Sequence, residues 1–179
     1  MAKVMTNLPP PDVPENGAQS RPILIPEPWR TRVLAVARLT QHERGVLGMM
    51  GRGLENKEIQ TELNISKPTF GTYLARIRHK LELGDNRDTI IVATIWLYCL
   101  GKHDDKFNKK IRLTRQPQQV LTELAKGLDN EEVAAALGVS LSQVKRHLEY
   151  FRTQLNMPRR RELVVYAALQ QALQYNDLP

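Results

Sequence analysis

The chain has 179 residues, 41% of them apolar, and a net charge of +7. This length suits one ordinary domain or two small ones, and the positive charge favours a polyanionic partner. The single cysteine, Cys99, excludes a disulfide or thiolate zinc framework within the chain. No apolar run reaches membrane-spanning length and no secretory signal is present, so we expect a cytoplasmic protein without a membrane partner.

The N-terminal segment, residues 1–28, holds seven of the eleven prolines. Proline fixes φ and lacks a backbone donor, so this segment is predicted to be a mostly disordered tail. Its apolar patch, Ile23-Leu24-Ile25, either docks on the body of the protein or binds a partner. A short helix is expected to begin near Trp29. The 38 residues before Leu39 are too few for a receiver or ligand-sensing domain, so we expect none.

From Leu39 onward the chain repeats itself. Leu39-Thr40 aligns with Leu113-Thr114, 74 positions later, and Gly53-Leu54 aligns with Gly127-Leu128 without a gap. The same shift aligns Asn56, Glu58, Leu63, Ser66, Leu74, Arg78, Leu81 and Ala93 with Asn130, Glu132, Leu137, Ser140, Leu148, Arg152, Leu155 and Ala167. An ungapped match over about 60 residues predicts one folded unit used twice.

Each unit is predicted to form four helices. In the second unit, Thr114 and Ser140 are candidate N-caps of the first and third helices. Between the second and third helices, Gly138 and its counterpart Asn64 suit a turn that needs positive φ. A short helix, a tight turn and a longer helix make a helix-turn-helix. We therefore predict an all-α fold of two tandem four-helix helix-turn-helix domains. The predicted parts are residues 1–28 (Pro-rich tail), 29–100 (first domain), 101–112 (polar, basic linker) and 113–175 (second domain).

Both units resemble the LuxR-type, or GerE-type, DNA-binding domain, whose pattern runs L-T-x-x-E, V-L, G-x-x-N-K-E-I-A, L-x-I-S, T-V-K-x-H and K-L-x-V. The first unit carries Leu39-Thr40-Gln41-His42-Glu43, Val46-Leu47, Gly53-Leu54-Glu55-Asn56-Lys57-Glu58-Ile59, Leu63-Asn64-Ile65-Ser66 and Lys80-Leu81-Glu82-Leu83. The second carries Leu113-Thr114, Gly127-Leu128-Asp129-Asn130-Glu131-Glu132-Val133-Ala134, Leu137-Gly138-Val139-Ser140 and Val144-Lys145-Arg146-His147. The departures are Tyr73 for the family His in the first unit, and Pro117 for Glu and Glu131 for Lys in the second.

The resemblance implies that the third helix of each unit enters the major groove of double-stranded DNA. It also implies that the protein is a regulator associated with the nucleoid. If Phe70, Leu74, Ile77 and Leu81 form the buried stripe, the opposite face is available for DNA. Arginine and lysine read guanine, glutamine reads adenine and glutamate accepts from cytosine, whereas hydroxyl groups near a helix start hold phosphates. The candidate DNA contacts are Lys67, Thr69, Thr72 and Arg76 in the first unit and Ser142, Gln143, Lys145, Arg146, His147 and Glu149 in the second.

The two units differ in this face. Where the second unit has Lys145 and Arg146, the first has Gly71 and Thr72. This pattern predicts base readout by the second unit, with the first serving assembly and phosphate contacts. The first unit's cations for phosphate are Arg76, Arg78 and Lys80. As an alternative, Lys145 pairs with Glu149 on the helix surface.

Two functions stay open at this point. One is a sequence-specific transcription regulator. The other is a protein-interaction module, an antiactivator or an RNA polymerase-binding adaptor, that uses the helix-turn-helix as a scaffold. We expect no enzyme, no cofactor and no metal site, because the sequence has no Gly-rich phosphate loop and no metal-ligand spacing. RNA polymerase or another regulator is a candidate partner besides DNA.

The fourth helices of the two units predict how the protein assembles. Residues 89–100 are apolar nearly all round, and such a helix must be covered on more than one side. Residues 163–173 are amphipathic, with Gln170 and Gln171 on a wetter side. In LuxR-like domains the fourth helix is the usual dimer surface, so we predict a homodimer through the first units. Its interface residues would be Ile91, Ile95, Trp96 and Tyr98. The alternative is a pseudo-dimer of the two units of one chain.

Two further patterns lack an assigned role. Gly45, Gly48 and Gly51 recur on one predicted helix, although glycine costs up to about 1 kcal/mol of helix stability relative to alanine. Close approach of another backbone, or neutral drift, explains them. The run Arg159-Arg160-Arg161 either touches the DNA backbone or is solvated.

Overall fold

The computed structural model describes residue 25 and residues 29–176 of the chain. Within these residues the chain forms nine α-helices and no strand, which confirms the all-α prediction. The helices are α1 Trp29–Leu34, α2 Gln41–Gly51, α3 Asn56–Glu62, α4 Lys67–Leu81, α5 Asn86–Cys99, α6 Arg115–Ala125, α7 Asn130–Leu137, α8 Leu141–Leu155 and α9 Arg160–Asn176. The predicted tail lies outside the described residues except for Ile25, which packs against the core.

The first unit consists of α2–α5 and the second of α6–α9, each with the predicted helix-turn-helix at its centre. Ser140 and Gln143 form a capping box that starts α8, as Thr40 and Glu43 do for α2. The turns before α4 and α8 place Asn64 at φ 49° and Gly138 at φ 63°, as the residue types predict. The domain boundaries stay a prediction, because both units contribute to one continuous hydrophobic core.

The linker is more than a solvated connection. A 3₁₀ turn, Asp105–Asn108, places Phe107 in the core with no exposed surface. The Phe107 ring lies 3.4 Å from the position that a Cβ on Gly53 of the first unit would take. Its carbonyl accepts a hydrogen bond of 3.1 Å from the Gln170 side chain of the second unit. The linker therefore packs against both units.

The two fourth helices, α5 and α9, pack against each other within one chain. Ile91 and Ile95 of α5 are buried, and Trp96 and Tyr98 are half-buried. On α9 every residue from 163 to 169 is buried, so the prediction of an amphipathic helix is wrong over its first turns. Gln170 and Gln171, predicted on the wetter side, are half-buried. Within one chain the two units thus pack through α5 and α9, as in the predicted pseudo-dimer. The homodimer through the first units stays a prediction, and two of its four interface residues, Trp96 and Tyr98, keep part of their surface exposed.

Contacts between the units are reciprocal under the 74-residue shift. Arg87 at the start of α5 lies 3.6 Å from Asp129 of the second unit, and its counterpart Arg161 lies 3.7 Å from Glu55 of the first. A Cβ on Gly53 would lie 3.2 Å from Glu162, and one on Gly127 would lie 3.1 Å from Asp88. Such exchange of partners is the signature of a two-fold, isologous interface. The two units of this chain are thus related as two subunits of a symmetric dimer.

The arginine run at the start of α9 belongs to this interface and to the second unit. Arg161 is buried and donates to the Leu54 carbonyl and to the Asn56 side chain of the first unit. Arg159 pairs with Glu58 of the first unit. The neighbouring Arg160 donates to Asn130 within the second unit. Arg161 is thus neither solvated nor accessible to DNA, whereas Arg159 and Arg160 are half-buried and each has a partner within the protein.

The three glycines of α2 have different surroundings. A Cβ on Gly51 would lie 2.8 Å from backbone atoms of Ala93 in α5, so here the expected close backbone approach exists, within one chain. A Cβ on Gly48 would lie 3.7 Å from the Trp96 ring, an ordinary contact. A Cβ on Gly45 would meet nothing within 4 Å. Close packing therefore accounts for Gly51 and not for Gly45.

None of the helices in the described part of the chain combines the length and the apolar character that crossing a membrane requires.

Candidate nucleic-acid interface

Helix α8 is the recognition helix of the second unit. Val144, Leu148, Phe151 and Leu155 are buried on one side, at the spacing predicted for the core stripe. The Ser140 hydroxyl accepts the Gln143 N–H and so begins the helix. Because the apolar stripe fixes the rotation of α8, the opposite side faces solvent.

The exposed side of α8 carries four of the six candidate DNA contacts, namely Ser142, Lys145, Arg146 and Glu149. Glu149 pairs with Arg152 at 3.0 Å, one turn later, and not with Lys145. Among the described residues no carboxylate lies within 4.0 Å of Lys145 or Arg146. Both cations are therefore available to an external anion or base edge.

Gln143 and His147 have other surroundings. The Gln143 side-chain carbonyl accepts from the Ser140 N–H at 2.9 Å and from its hydroxyl at 3.1 Å, which leaves only its amide N–H groups for DNA. His147 is half-buried, and its Nε2 is buried without a hydrogen-bond partner among the described residues. Burial, and next the Arg146 charge, lower the pKa of His147. A ring whose Nε2 is buried cannot present that nitrogen to a DNA phosphate.

Helix α4 is the recognition helix of the first unit, and its predicted stripe of Phe70, Leu74, Ile77 and Leu81 is buried. The candidate contacts Lys67, Thr69, Thr72 and Arg76 are all exposed. The Thr72 hydroxyl donates to the Pro68 carbonyl at 3.1 Å, within its own helix.

Lys80 and Arg78, which we predicted as phosphate contacts, are held by the protein. Lys80 donates to the buried Glu43 carboxylate at 2.7 Å, and Arg78 donates to Asn86. At the corresponding positions the second unit has Gln154 and Pro117. The ion pair of Lys80 and Glu43 is therefore present in the first unit, and both of its members are replaced in the second. This joint replacement is a signal in the repeat that could have identified the pair.

The inter-unit contacts of Arg87 and Arg161 were missed by the sequence analysis. Both arginines stand at the same repeat position, and acidic residues occur at Glu55 and Asp129, also one repeat apart. This double correspondence is a pattern in the sequence that indicates the pairing. It carries no information about which of the two units each arginine contacts.

Comparison with known proteins agrees with this architecture. The model of the family described as bacterial regulatory proteins, luxR family, matches residues 37–93 and 112–167. Over 79 residues the chain is 34% identical to the uncharacterized transcriptional regulatory protein YhcZ of Bacillus subtilis, covering 44% of this chain and 37% of that protein. Over 78 residues it is 28% identical to the HTH-type transcriptional regulator MalT of Vibrio campbellii, covering 44% of this chain and 9% of that protein.

A shorter match, 44% identical over 52 residues, is to a putative HTH-type transcriptional regulator of Aeromonas salmonicida, covering 29% of this chain and 26% of that protein. The chain thus spans well under half the length of these relatives. No solved structure matches it. The two segments matched by the family model correspond to the two units and together cover more than half of the chain. This chain belongs to the luxR family of bacterial regulatory proteins.

Proposed function

We propose that this protein is a sequence-specific, DNA-binding transcription regulator in which α8 reads bases and α4 contacts phosphates. The observation that carries the proposal is the contrast between the exposed sides of the two recognition helices. Lys145 and Arg146 are exposed and have no acidic partner among the described residues. The corresponding Gly71 and Thr72 offer no cation.

The chemistry of these residues agrees with such a division. Arginine in the major groove binds guanine O6 and N7 together, which is worth about 1–3 kcal/mol of discrimination against a wrong base. Arg76 lies exposed on α4, one turn beyond Thr72, where a cation contributes to affinity without reading sequence. YhcZ and MalT, which align with this chain over 79 and 78 residues, are by their names transcriptional regulators.

A matched pair of substitutions tests the proposal. The binding site is first selected from random duplexes, and affinities for it and for a scrambled duplex are then measured by fluorescence anisotropy. Arg146→Ala should remove most of the preference for the selected site, because the base contact is lost. Arg76→Ala should weaken both duplexes equally and reduce the salt dependence of binding. An unchanged preference in Arg146→Ala would refute base readout by this residue.

The interaction-module alternative draws support from the first unit alone. A Cβ on Gly71 would meet nothing within 4 Å, so this part of α4 is a shallow surface with room for a partner's side chains. If the alternative holds, neither arginine substitution changes binding to DNA, and a purified RNA polymerase or regulator binds the protein without DNA.

A further inference from the structure

The internal symmetry of the chain bears on the kind of DNA site it recognises. We infer that a single chain occupies a complete operator as a pseudo-dimer, and that this operator is asymmetric. One half-site is read by α8, and the neighbouring stretch of duplex is held by α4 without being read. The inference rests on the proposed function and specifies its DNA target.

The first step is that the pairing of the units is internal. Ile91 of α5 lies 3.4 Å from the Cβ position of Gly127, in the second unit of the same chain. The fourth helices are buried by each other and by their own units, over residues 89–95 and 163–169. A second chain could reach these surfaces only if α5 and α9 separated. The chain therefore needs no second copy to form a two-fold pair.

The second step is that this pair is two-fold in structure. The ion pairs Arg87–Asp129 and Arg161–Glu55 are equivalent under the repeat, and so are the contacts Gly53–Glu162 and Gly127–Asp88. A two-fold axis that relates the units also relates their recognition helices. The half-sites of a duplex operator mirror such an axis, so α4 and α8 are presented to two adjacent half-sites.

The third step is that the pair is not two-fold in chemistry. Lys145, Arg146 and Glu149 on α8 correspond to residues without a charged side chain on α4. Those residues are Gly71, Thr72 and Ala75. A symmetric homodimer selects an inverted repeat, because both half-sites are read by the same residues. This pseudo-dimer should instead select one half-site, with an unselected flank on one side.

The experiment transplants the reading residues into the first unit. Gly71→Lys, Thr72→Arg and Ala75→Glu are combined in the full chain. A side chain at position 71 meets nothing within 4 Å at its Cβ, and positions 72 and 75 are exposed, so the fold has room for all three. The matched control is Gly71→Ala, which adds a side chain on the same surface of α4 but no reading group.

Sites are selected from random duplexes, and the mass of each complex is measured by native mass spectrometry. The wild type and the control should select one half-site and bind with one chain per duplex. The triple variant should select an inverted repeat of that half-site, still with one chain. It should prefer the repeat over the single half-site by about 5- to 150-fold, the equivalent of one further set of base contacts.

Two results would overturn the inference: a wild type that selects an inverted repeat with two chains bound, or a triple variant that selects the same site as the wild type. A different result bears on the proposed function. If the wild type selects no sequence but sediments as a monomer at micromolar concentration, base readout by α8 is wrong while the internal pairing holds.

Discussion

Glu43 and Lys80 show how a residue of the family motif can serve the fold and not DNA. The Glu43 carboxylate is almost fully buried, at 1% exposure, and accepts from the Thr40 N–H and from Lys80, both at 2.7 Å. It thereby starts α2 and ties the end of α4 to it. Burial acts to raise the pKa of Glu43, but the hydrogen bonds from Lys80 and Thr40 outweigh it and lower this pKa below its ordinary value of 4.5.

A group with a lowered pKa stabilises the fold above its unfolded pKa and loses that contribution as the pH falls through its folded pKa. We therefore expect Glu43→Gln to lower the free energy of unfolding at neutral pH by about 1–3 kcal/mol. The difference from the wild type should shrink as the pH falls below 4.5. Urea denaturation followed by circular dichroism, at neutral pH and at a pH below 4.5, measures the free energy of unfolding of both proteins.

Glu149→Gln is the matched control, since Glu149 is exposed and pairs only with Arg152. This substitution should cost less than about 1 kcal/mol at neutral pH. Equal losses in the two variants would contradict a buried structural role for Glu43.

At the scale of a helix, α2 carries glycines that packing requires in one place only. Gly51 lets the backbone of α2 approach Ala93 of α5 more closely than any side chain allows. Gly45 is partly exposed and faces no neighbour within 4 Å. We therefore expect the same residue type to have opposite effects on stability at Gly45 and Gly51, within one helix.

We expect Gly51→Ala to destabilise the protein by about 1–3 kcal/mol, because its Cβ would lie 2.8 Å from backbone atoms that cannot move aside freely. In contrast, Gly45→Ala should stabilise it by up to about 1 kcal/mol through helix propensity alone. Urea denaturation of both variants gives the comparison. Stabilisation by Gly51→Ala would show that α2 and α5 are not in the contact described.

At the scale of the whole molecule, the two units share a core and should unfold together. Both tryptophans, Trp29 and Trp96, lie in or before the first unit, so tryptophan fluorescence reports mainly on this half of the chain. Circular dichroism reports on the helices of both units. Coincident urea transitions by the two probes are expected, because a single cooperative unit loses both signals at once.

Arg161 supplies the sharper test of this coupling, because it is buried in the second unit and bonds to Leu54 and Asn56 in the first. Arg161→Ala should lower the free energy of unfolding by about 1–3 kcal/mol and shift the fluorescence transition of the first unit. Its counterpart Arg87 is more exposed, so Arg87→Ala should cost about 1 kcal/mol or less. A shift seen by circular dichroism alone would mean that the units unfold independently.

Much of this architecture was predictable because its causes are local in sequence. The stripe of Phe70, Leu74, Ile77 and Leu81 has the helical period, and this period fixes the rotation of α4 about its axis. Turn and cap residues such as Asn64 and Ser140 have conformational preferences of their own, so they mark where helices begin and end. The exposed positions of Lys145 and Arg146 follow from the buried stripe of α8.

The partners of these surfaces were not predictable from the same signals. A helical period shows that a face of α5 must be covered, but it does not distinguish a second chain from α9. Arg161 contacts Leu54 across 107 positions of sequence, and nothing in the local pattern of either residue indicates that distance. Phe107 stands in a polar linker and is buried because two units close around it. These contacts depend on how the two halves of the chain meet, and that depends on the joint packing of all their helices.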